Sequence, residues 1–199
     1  MPYDAVILAG GRAERLGGLD KPGALVGGRS LIERVAAAVP GARTLVVVGP
    51  PRPGPGPLER AVHTRENPPG SGPVPALRAG LALVTADEVA LLAADLPFLD
   101  AEHVTALFDA ARAAGANGAM LLDDESREQW LAGVWRAEPL REALARYTGH
   151  SLRGLLGPLG PVTLRLAPGA DGRAPWFDCD TMDDLDRARR NRVASEETA

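Results

Sequence analysis

Glycines and cations crowd one early stretch of this chain, a combination of residue types that suits a polyphosphate. Gly10 and Gly11 close an apolar run, Arg12 and Arg15 follow, then Gly17 and Gly18, and Asp20-Lys21-Pro22 ends the stretch. Glycine lets a backbone turn sharply and bring its amides close to a ligand. Exposed amides and fixed positive charge both neutralise oxyanions. Lys21 is the strongest single candidate, because a unit charge about 4 Å from a phosphate oxygen gains roughly 4 kcal/mol at an effective dielectric near 20. Arg15 is expected to assist, whereas Arg12 also reads as a solvated side chain. By residue type alone, a basic surface loop after a strand remains an equal reading.

Carboxylates supply the second half of the chemistry. Asp95 ends a run that is otherwise apolar from Val89. It reads either as a turn or helix-capping aspartate, or as a ligand for Mg²⁺, a hard cation that takes carboxylate and phosphate oxygens and keeps several waters. Asp178 and Asp180 lie two residues apart, so on a strand they share one face and could complete a metal or substrate site. Alternatively, Asp180 or Thr181 starts the last helix, with Asp184 as its capping partner.

Other chemistries find little support. The Walker spacing, Gly-x4-Gly-Lys-Ser/Thr, is missing from the early stretch, and adjacent Gly10 and Gly11 do not make Gly-x-Gly-x-x-Gly. His63, His103 and His150 have no metal-ligand spacing with one another or with Cys179, which argues against zinc. Cys179 stands between two aspartates, which should raise its pKa and suppress the nucleophilic thiolate. The arginines at 187, 189, 190 and 192 fall at a helix C-terminus, where cations are favoured without any nucleic acid.

The elements that must position these residues follow from pattern. Ala5–Leu8 has the length and β-branched content of a buried strand. Ala24–Val26 and Gly27-Gly28-Arg29 read as a short segment and a turn. Ser30 with Glu33 forms a capping box for a helix carrying Leu31, Ile32, Val35 and Val39, which stops at Pro40-Gly41. Thr44–Val48 is a second strand, the Pro/Gly stretch 49–57 a surface loop, and Val62–Thr64 a short strand. A second Gly/Pro loop spans 65–75, and a helix runs from Ala76 to about Val84. Val89–Ala94 is the most hydrophobic strand, and Asp100 caps a helix that ends at Gly115. Strands at 118–122 and 130–135 flank the acidic loop 123–125. Helices follow at about 140–147 and 151–156, strands at 162–166 and 176–179, and a last helix at about 182–192. The tail after about 194 is expected to fray.

Strand–helix alternation at the start implies a mainly parallel sheet with helices on both faces, and such sheets bind ligands at the carboxyl ends of their strands. The early loop and Asp95 both leave strands at that edge. The 199 residues suit a single α/β domain, a three-layer αβα sandwich with a Rossmann-like, mostly parallel sheet. A hydrophobic fraction of 45% and a charged fraction of 24% are ordinary for a globular chain. The net charge of −4 argues against general nucleic-acid binding. No apolar run approaches the roughly 18 residues of a membrane span. The start lacks the basic region of a signal peptide, and one cysteine excludes an internal disulfide framework. Together these point to a cytoplasmic protein.

Three linked pieces, Leu-Ala-Gly-Gly at 8–11, Arg15 with Gly17-Gly18, and Asp20-Lys21-Pro22, resemble the signature of the molybdenum cofactor guanylyltransferase (MobA-like) family of nucleotidyltransferases. The fold this implies is of the nucleotide-diphospho-sugar transferase type. Ala94-Asp95-Leu96-Pro97 resembles the family's Asp-x-Pro motif, whose aspartate holds the metal. The stretch 177–185 is similar to its Asn/Asp-x-Asn/Asp-Thr-Pro-Glu-Asp-Leu, with Met182 in place of proline. The resemblance implies nucleotide contacts at Leu8, Ala9, Gly10, Gly11, Lys21, Gly49, Glu66 and Asp95, catalysis by Lys21, Arg15 and Asp95, and Mg²⁺ on Asp95. Gly49 stands where some relatives carry an asparagine, and Glu66 where an aspartate is common. Gln129-Trp130-Leu131 resembles an acceptor-side Gln-Pro-Leu, and Arg153 is a candidate for the acceptor's phosphate. With Asp178 and Asp180, these form the implied acceptor side.

The implied reaction moves GMP from GTP to molybdopterin or its molybdenum-loaded form, releasing pyrophosphate by in-line attack and without a protein nucleophile. The same fold also serves CTP with molybdopterin, or an NTP with a sugar phosphate or phospholactate. Because Glu66, Trp130 and Met182 depart from the pattern, a non-catalytic nucleotide-binding regulator is the rival of another class. A monomer or weak homo-oligomer is expected.

Overall fold

The computed structural model describes residues 1–10, 20–52, 54–168 and 173–196, with side chains to Asn191. In chain order the strands are β1 (Tyr3–Leu8), β2 (Leu25–Val26), β3 (Arg29–Ser30), β4 (Ala42–Val48), β5 (Val62–Thr64), β6 (Glu88–Ala93), β7 (Gly118–Leu122), β8 (Glu128–Arg136) and β9 (Val162–Leu164). The helices are α1 (Leu31–Ala37), α2 (Pro73–Leu81), α3 (Ala101–Ala113), α4 (Ala137–Arg146), α5 (Leu152–Leu156) and α6 (Met182–Glu196). Seven strands form one sheet in the order β5-β4-β1-β6-β8-β7-β9, and β2 pairs with β3 in a separate hairpin. β5, β4, β1 and β6 are parallel neighbours, β8 runs against both β6 and β7, and β9 is parallel to β7.

Alternation along the strands explains the layers. Ala5 and Ile7 of β1, Leu45 and Val47 of β4 and Ala90 and Leu92 of β6 face one way, into a core with Ile32 and Val35 of α1 and Val104, Leu107 and Phe108 of α3. Val6, Leu8, Val46, Val48, Val89 and Leu91 face the other way, against Leu77 and Leu81 of α2, Leu140 and Leu144 of α4, and Leu155 of α5. Strands this apolar on both faces need helices on both, which gives the three-layer αβα arrangement. Gly80 lets α2 press close, since a Cβ there would lie 2.6 Å from Val6 Cγ1 and 2.8 Å from Val48 Cγ2.

Local signals hold as residue chemistry requires. Ser30 Oγ accepts from Glu33 N, while Ser30 N donates to the Glu33 carboxylate, completing the capping box of α1. Asp100 caps α3, with His103 as its reciprocal partner. Helix α2 begins three residues before the expected Ala76, at Pro73, because a proline in the first turn gives up an amide that has no partner there. One strand is corrected. Trp176–Cys179 is irregular rather than extended in the sheet. Trp176 joins the core beside α1 and α3, Cys179 packs with Phe98, Leu185 and Ala188, and the Cys179 amide donates to Asp95 O at 3.2 Å. Docking of side chains replaces pairing with a neighbouring strand. No helix among the described residues is long and apolar enough to cross a membrane.

Candidate active site

Four parallel strands deliver their carboxyl ends to one place. Leu8 ends β1 and Ala9 and Gly10 follow it, Pro50 and Arg52 follow β4, Arg65 and Glu66 follow β5, and Ala93 ends β6 with Ala94 and Asp95 after it; all line a single cleft of about 740 Å³. Asp20, Lys21 and Pro22, Gly72 and Pro73 at the start of α2, Leu131 of β8, and Asp180 complete its walls. Gly11, Arg12, Arg15, Gly17 and Gly18 lie outside the described residues.

Lys21 is the electrostatic centre. It sits on a single 3₁₀ turn, Lys21–Gly23, and its ammonium bridges Asp95 Oδ2 and, at 2.6 Å, Asp180 Oδ1. Burial alone would lower its pKa, but the carboxylates of Asp95 and Asp180 outweigh this and raise it. Lys21 therefore stays charged at neutral pH. Asp178 belongs to the same group: burial first, then the charges of Asp180 and Asp95, push its carboxyl above the usual range. Two carboxylates thus hold one ammonium, and a third lies near enough to feel all three charges. Asp95 Oδ1 is buried without a hydrogen-bond partner among the described residues, as is Glu66 Oε2. Polar atoms left unsatisfied at a cleft wall mark where a ligand's own groups are needed.

Asp178 and Asp180 reach this point without a strand to align them. Phe177 packs on Phe98 with ring centroids 5.7 Å apart and planes tilted by 40°, and Leu185 and Ala188 of α6 pack with Val26 and Leu31, so a small apolar cluster clips the segment beside Lys21. Thr181, rather than Asp180, caps α6: its Oγ accepts from Asp184 N at 3.1 Å and its own amide donates to Asp184 Oδ2 at 2.8 Å. That frees Asp180 for Lys21.

Other candidates lie elsewhere or play different parts. Gly49 is not among the residues lining the cleft; at φ +153 it lies against the start of the early loop, where a Cβ would meet Ala9 O at 2.7 Å. Glu66 is buried in the wall and accepts from Gly70 N at 2.8 Å, bracing the second loop. Gln129 donates to Asp123 Oδ2 at 3.2 Å, inside the β7–β8 turn, and is not on the cleft wall. Arg153 is exposed on α5, 3.7 Å from Glu128, likewise away from the wall. Cys179 has its pKa pushed up to about 12, by burial first and then by the Asp95 charge, rather than mainly by its flanking aspartates.

Sequence reading missed Arg52 and placed Arg65 only at the head of the second loop, without a role of its own. Arg65 is an exposed cation on the wall. Arg52 is mostly buried and ties Asp20 to the backbone of the opposite loop. One signal was available: an arginine in the Pro/Gly loop that follows the strand next to β1.

Fold and cleft together define a nucleotidyltransferase-class α/β protein. The chain superposes on molybdopterin-guanine dinucleotide biosynthesis protein A from Archaeoglobus fulgidus with a TM-score of 0.72 at 21% identity, covering 97% of this chain and 99% of that one. It superposes equally, at 0.72 and 21%, on 2-C-methyl-D-erythritol 4-phosphate cytidylyltransferase from Thermus thermophilus, covering 97% and 100%. The chain belongs to the family described as the MobA-like NTP transferase domain, which matches residues 5–162. Among its relatives, a probable molybdenum cofactor guanylyltransferase of Natronomonas pharaonis is 32% identical, covering 92% of this chain and 95% of that protein. The molybdenum cofactor guanylyltransferase of Acidiphilium cryptum is 31% identical over 94% of each.

Proposed function

We propose that this protein transfers GMP from GTP to the phosphate of molybdopterin, free or molybdenum-loaded, and releases pyrophosphate. The observation that carries the proposal is the meeting of Lys21 and Asp95 in one cleft at the carboxyl edge of the sheet, in a chain whose full-length relatives are named guanylyltransferases. The acceptor phosphate attacks the α-phosphorus in line; the new P–O bond forms as the bond to pyrophosphate breaks. A phosphate monoester at neutral pH is already an anion and needs no general base. With its pKa near 12, the Cys179 thiol stays protonated and offers no competing nucleophile.

Lys21, with Arg15, neutralises charge that builds on the α-phosphoryl group and the leaving pyrophosphate. Asp95 fits a divalent cation: its Oδ1 is a buried oxygen donor in need of a partner. Among the described residues no set of three His, Cys, Asp or Glu side chains is placed to hold a metal. Such a site suits Mg²⁺, which is held by one or two carboxylates together with substrate phosphates. Bound there, the cation would orient the phosphates and offset their charge. Leu8, Ala9, Gly10 and Gly11 would offer backbone to the nucleotide, with Gly49 shaping that backbone. Glu66 Oε2, an acceptor without a partner among the described residues, suits a base edge that presents adjacent donors, as guanine does with N1–H and its exocyclic amine. Asp178 and Asp180 would face the acceptor, with Gln129 and Arg153 further out.

The test is pyrophosphate release with Mg²⁺ across four NTPs, each with molybdopterin, a sugar phosphate or phospholactate as acceptor. Turnover with GTP and molybdopterin is expected. Turnover only with CTP would discard the guanylyl assignment, and tight GTP binding without turnover would make the protein a nucleotide-binding regulator.

A further inference from the structure

Arg52 holds both ends of the segment that carries the early cations. Its Nη1 donates to Ala9 O at 3.2 Å, where the chain leaves β1, and to Pro50 O at 3.2 Å in its own loop. Its Nε donates to Asp20 Oδ2 at 3.2 Å, and its Nη2 pairs with Asp20 Oδ1, where the chain re-enters the cleft. The side chain is only 15% exposed, so solvent does little to weaken these bonds. Asp20 in turn sits directly before Lys21. Its carbonyl accepts from Gly23 N at 3.0 Å, and a Cβ at Gly23 would lie 2.5 Å from Asp20 Oδ2. Glycine at 23 is therefore what lets the Asp20 carboxylate fold back toward Arg52. The carboxylate is drawn one way, to Arg52, while the neighbouring ammonium is drawn the other, to Asp95 and Asp180.

From this geometry we infer that Arg52 is a positioning residue: acting through Asp20, it fixes where Lys21 meets the triphosphate. Only a guanidinium serves. Its planar fork reaches two carbonyls and both carboxylate oxygens at once, whereas a lysine ammonium is a point charge without that geometry. Displacing a charge-stabilising group by about 1 Å can cost on the order of a hundredfold in rate, so a tether of this kind acts on turnover as well as on fold.

The inference rests on the nucleotidyl-transfer reading, and the experiment separates the two. Arg52→Gln, Arg52→Lys and Asp20→Asn are made in the native chain and in a Lys21→Ala background. Pyrophosphate release with GTP, Mg²⁺ and molybdopterin is measured beside titration with a fluorescent GTP analogue. In the native background each is expected to lower kcat about tenfold or more without raising KM for molybdopterin, and the lysine variant does not rescue. With Lys21 absent, the same changes should alter rate and nucleotide affinity by less than about threefold, because interacting residues are not additive. Equal losses in both backgrounds would overturn the inference and make Arg52 a direct phosphate ligand or a plain structural residue; native rates in all three variants would overturn it as well. If Arg52→Gln does not fold, Asp20→Asn breaks the same link by removing one charge. If the native protein turns over no NTP, the catalytic reading fails, and the same comparison of nucleotide affinities, with at least about tenfold weakening in the native background, still decides the role of Arg52.

Discussion

At the scale of single residues, the site is a balance of charge around Lys21. Asp95 and Asp180 hold its ammonium, and Asp178 adds a third carboxylate nearby. Removing the ammonium takes away one of the charges that offset the leaving pyrophosphate; neutralising Asp95 removes the oxygen donor offered to a metal. Lys21→Ala and Asp95→Asn are each expected to lower turnover by at least about a hundredfold, the scale of losing one charge-stabilising group. Steady-state pyrophosphate release on folded variants checks this, and near-native rates in either would remove that residue from the machinery. Lys21 and Asp95 could be singled out in the sequence because each lies in a short motif that resembles the family's; by residue type alone a basic surface loop and a capping aspartate stayed open. Arg52 could not be, since its meaning lies in contacts with Ala9 and Asp20, 43 and 32 residues away in the chain.

At the scale of elements, most boundaries follow from caps and periodicity. The Ser30–Glu33 box starts α1, which bears Ile32 and Val35 into the core. It also sets the β2–β3 hairpin beside Lys21, as Leu31 N donates to Ala24 O at 3.0 Å. Ser30→Ala is therefore expected to cost about 1 kcal/mol of stability in urea unfolding, the usual worth of such a cap; no change in the midpoint would mean the helix start is held by packing alone. The stretch 176–179 shows why pattern failed once. Alternation of apolar and acidic residues there mimics a half-buried strand, but the apolar members dock into two different clusters instead of pairing in the sheet. The two aspartates still reach the site, for a tertiary reason that spacing does not contain.

At the scale of the whole molecule, the sheet gathers four loops at one edge, and parallel order was readable from strand–helix alternation alone. What was not readable is how its opposite end is held. Asp4 is fully buried at the start of β1, and its carboxylate accepts from Thr44 N at 3.0 Å, Thr85 N at 2.6 Å and Ala86 N at 2.9 Å. Burial alone would raise its pKa, but those amides hold it below the ordinary 3.8. A depressed folded-state pKa gives stability that is present above the ordinary value and lost as pH falls through the lower folded one. Asp4→Asn should thus cost about 2 kcal/mol at pH 7, with the difference from the native chain shrinking below about pH 4; a difference independent of pH would contradict this. The central claim, that Lys21 and a divalent cation on Asp95 together hold one triphosphate, is tested most directly by titrating GTP into the native protein, Lys21→Ala and Asp95→Asn, with Mg²⁺ and again with chelator. Lys21→Ala should weaken binding by about tenfold or more, equivalent to about 1.4 kcal/mol, and Asp95→Asn should erase the gain that Mg²⁺ gives the native protein. Native affinity in Lys21→Ala, or an undiminished Mg²⁺ gain in Asp95→Asn, would contradict the account.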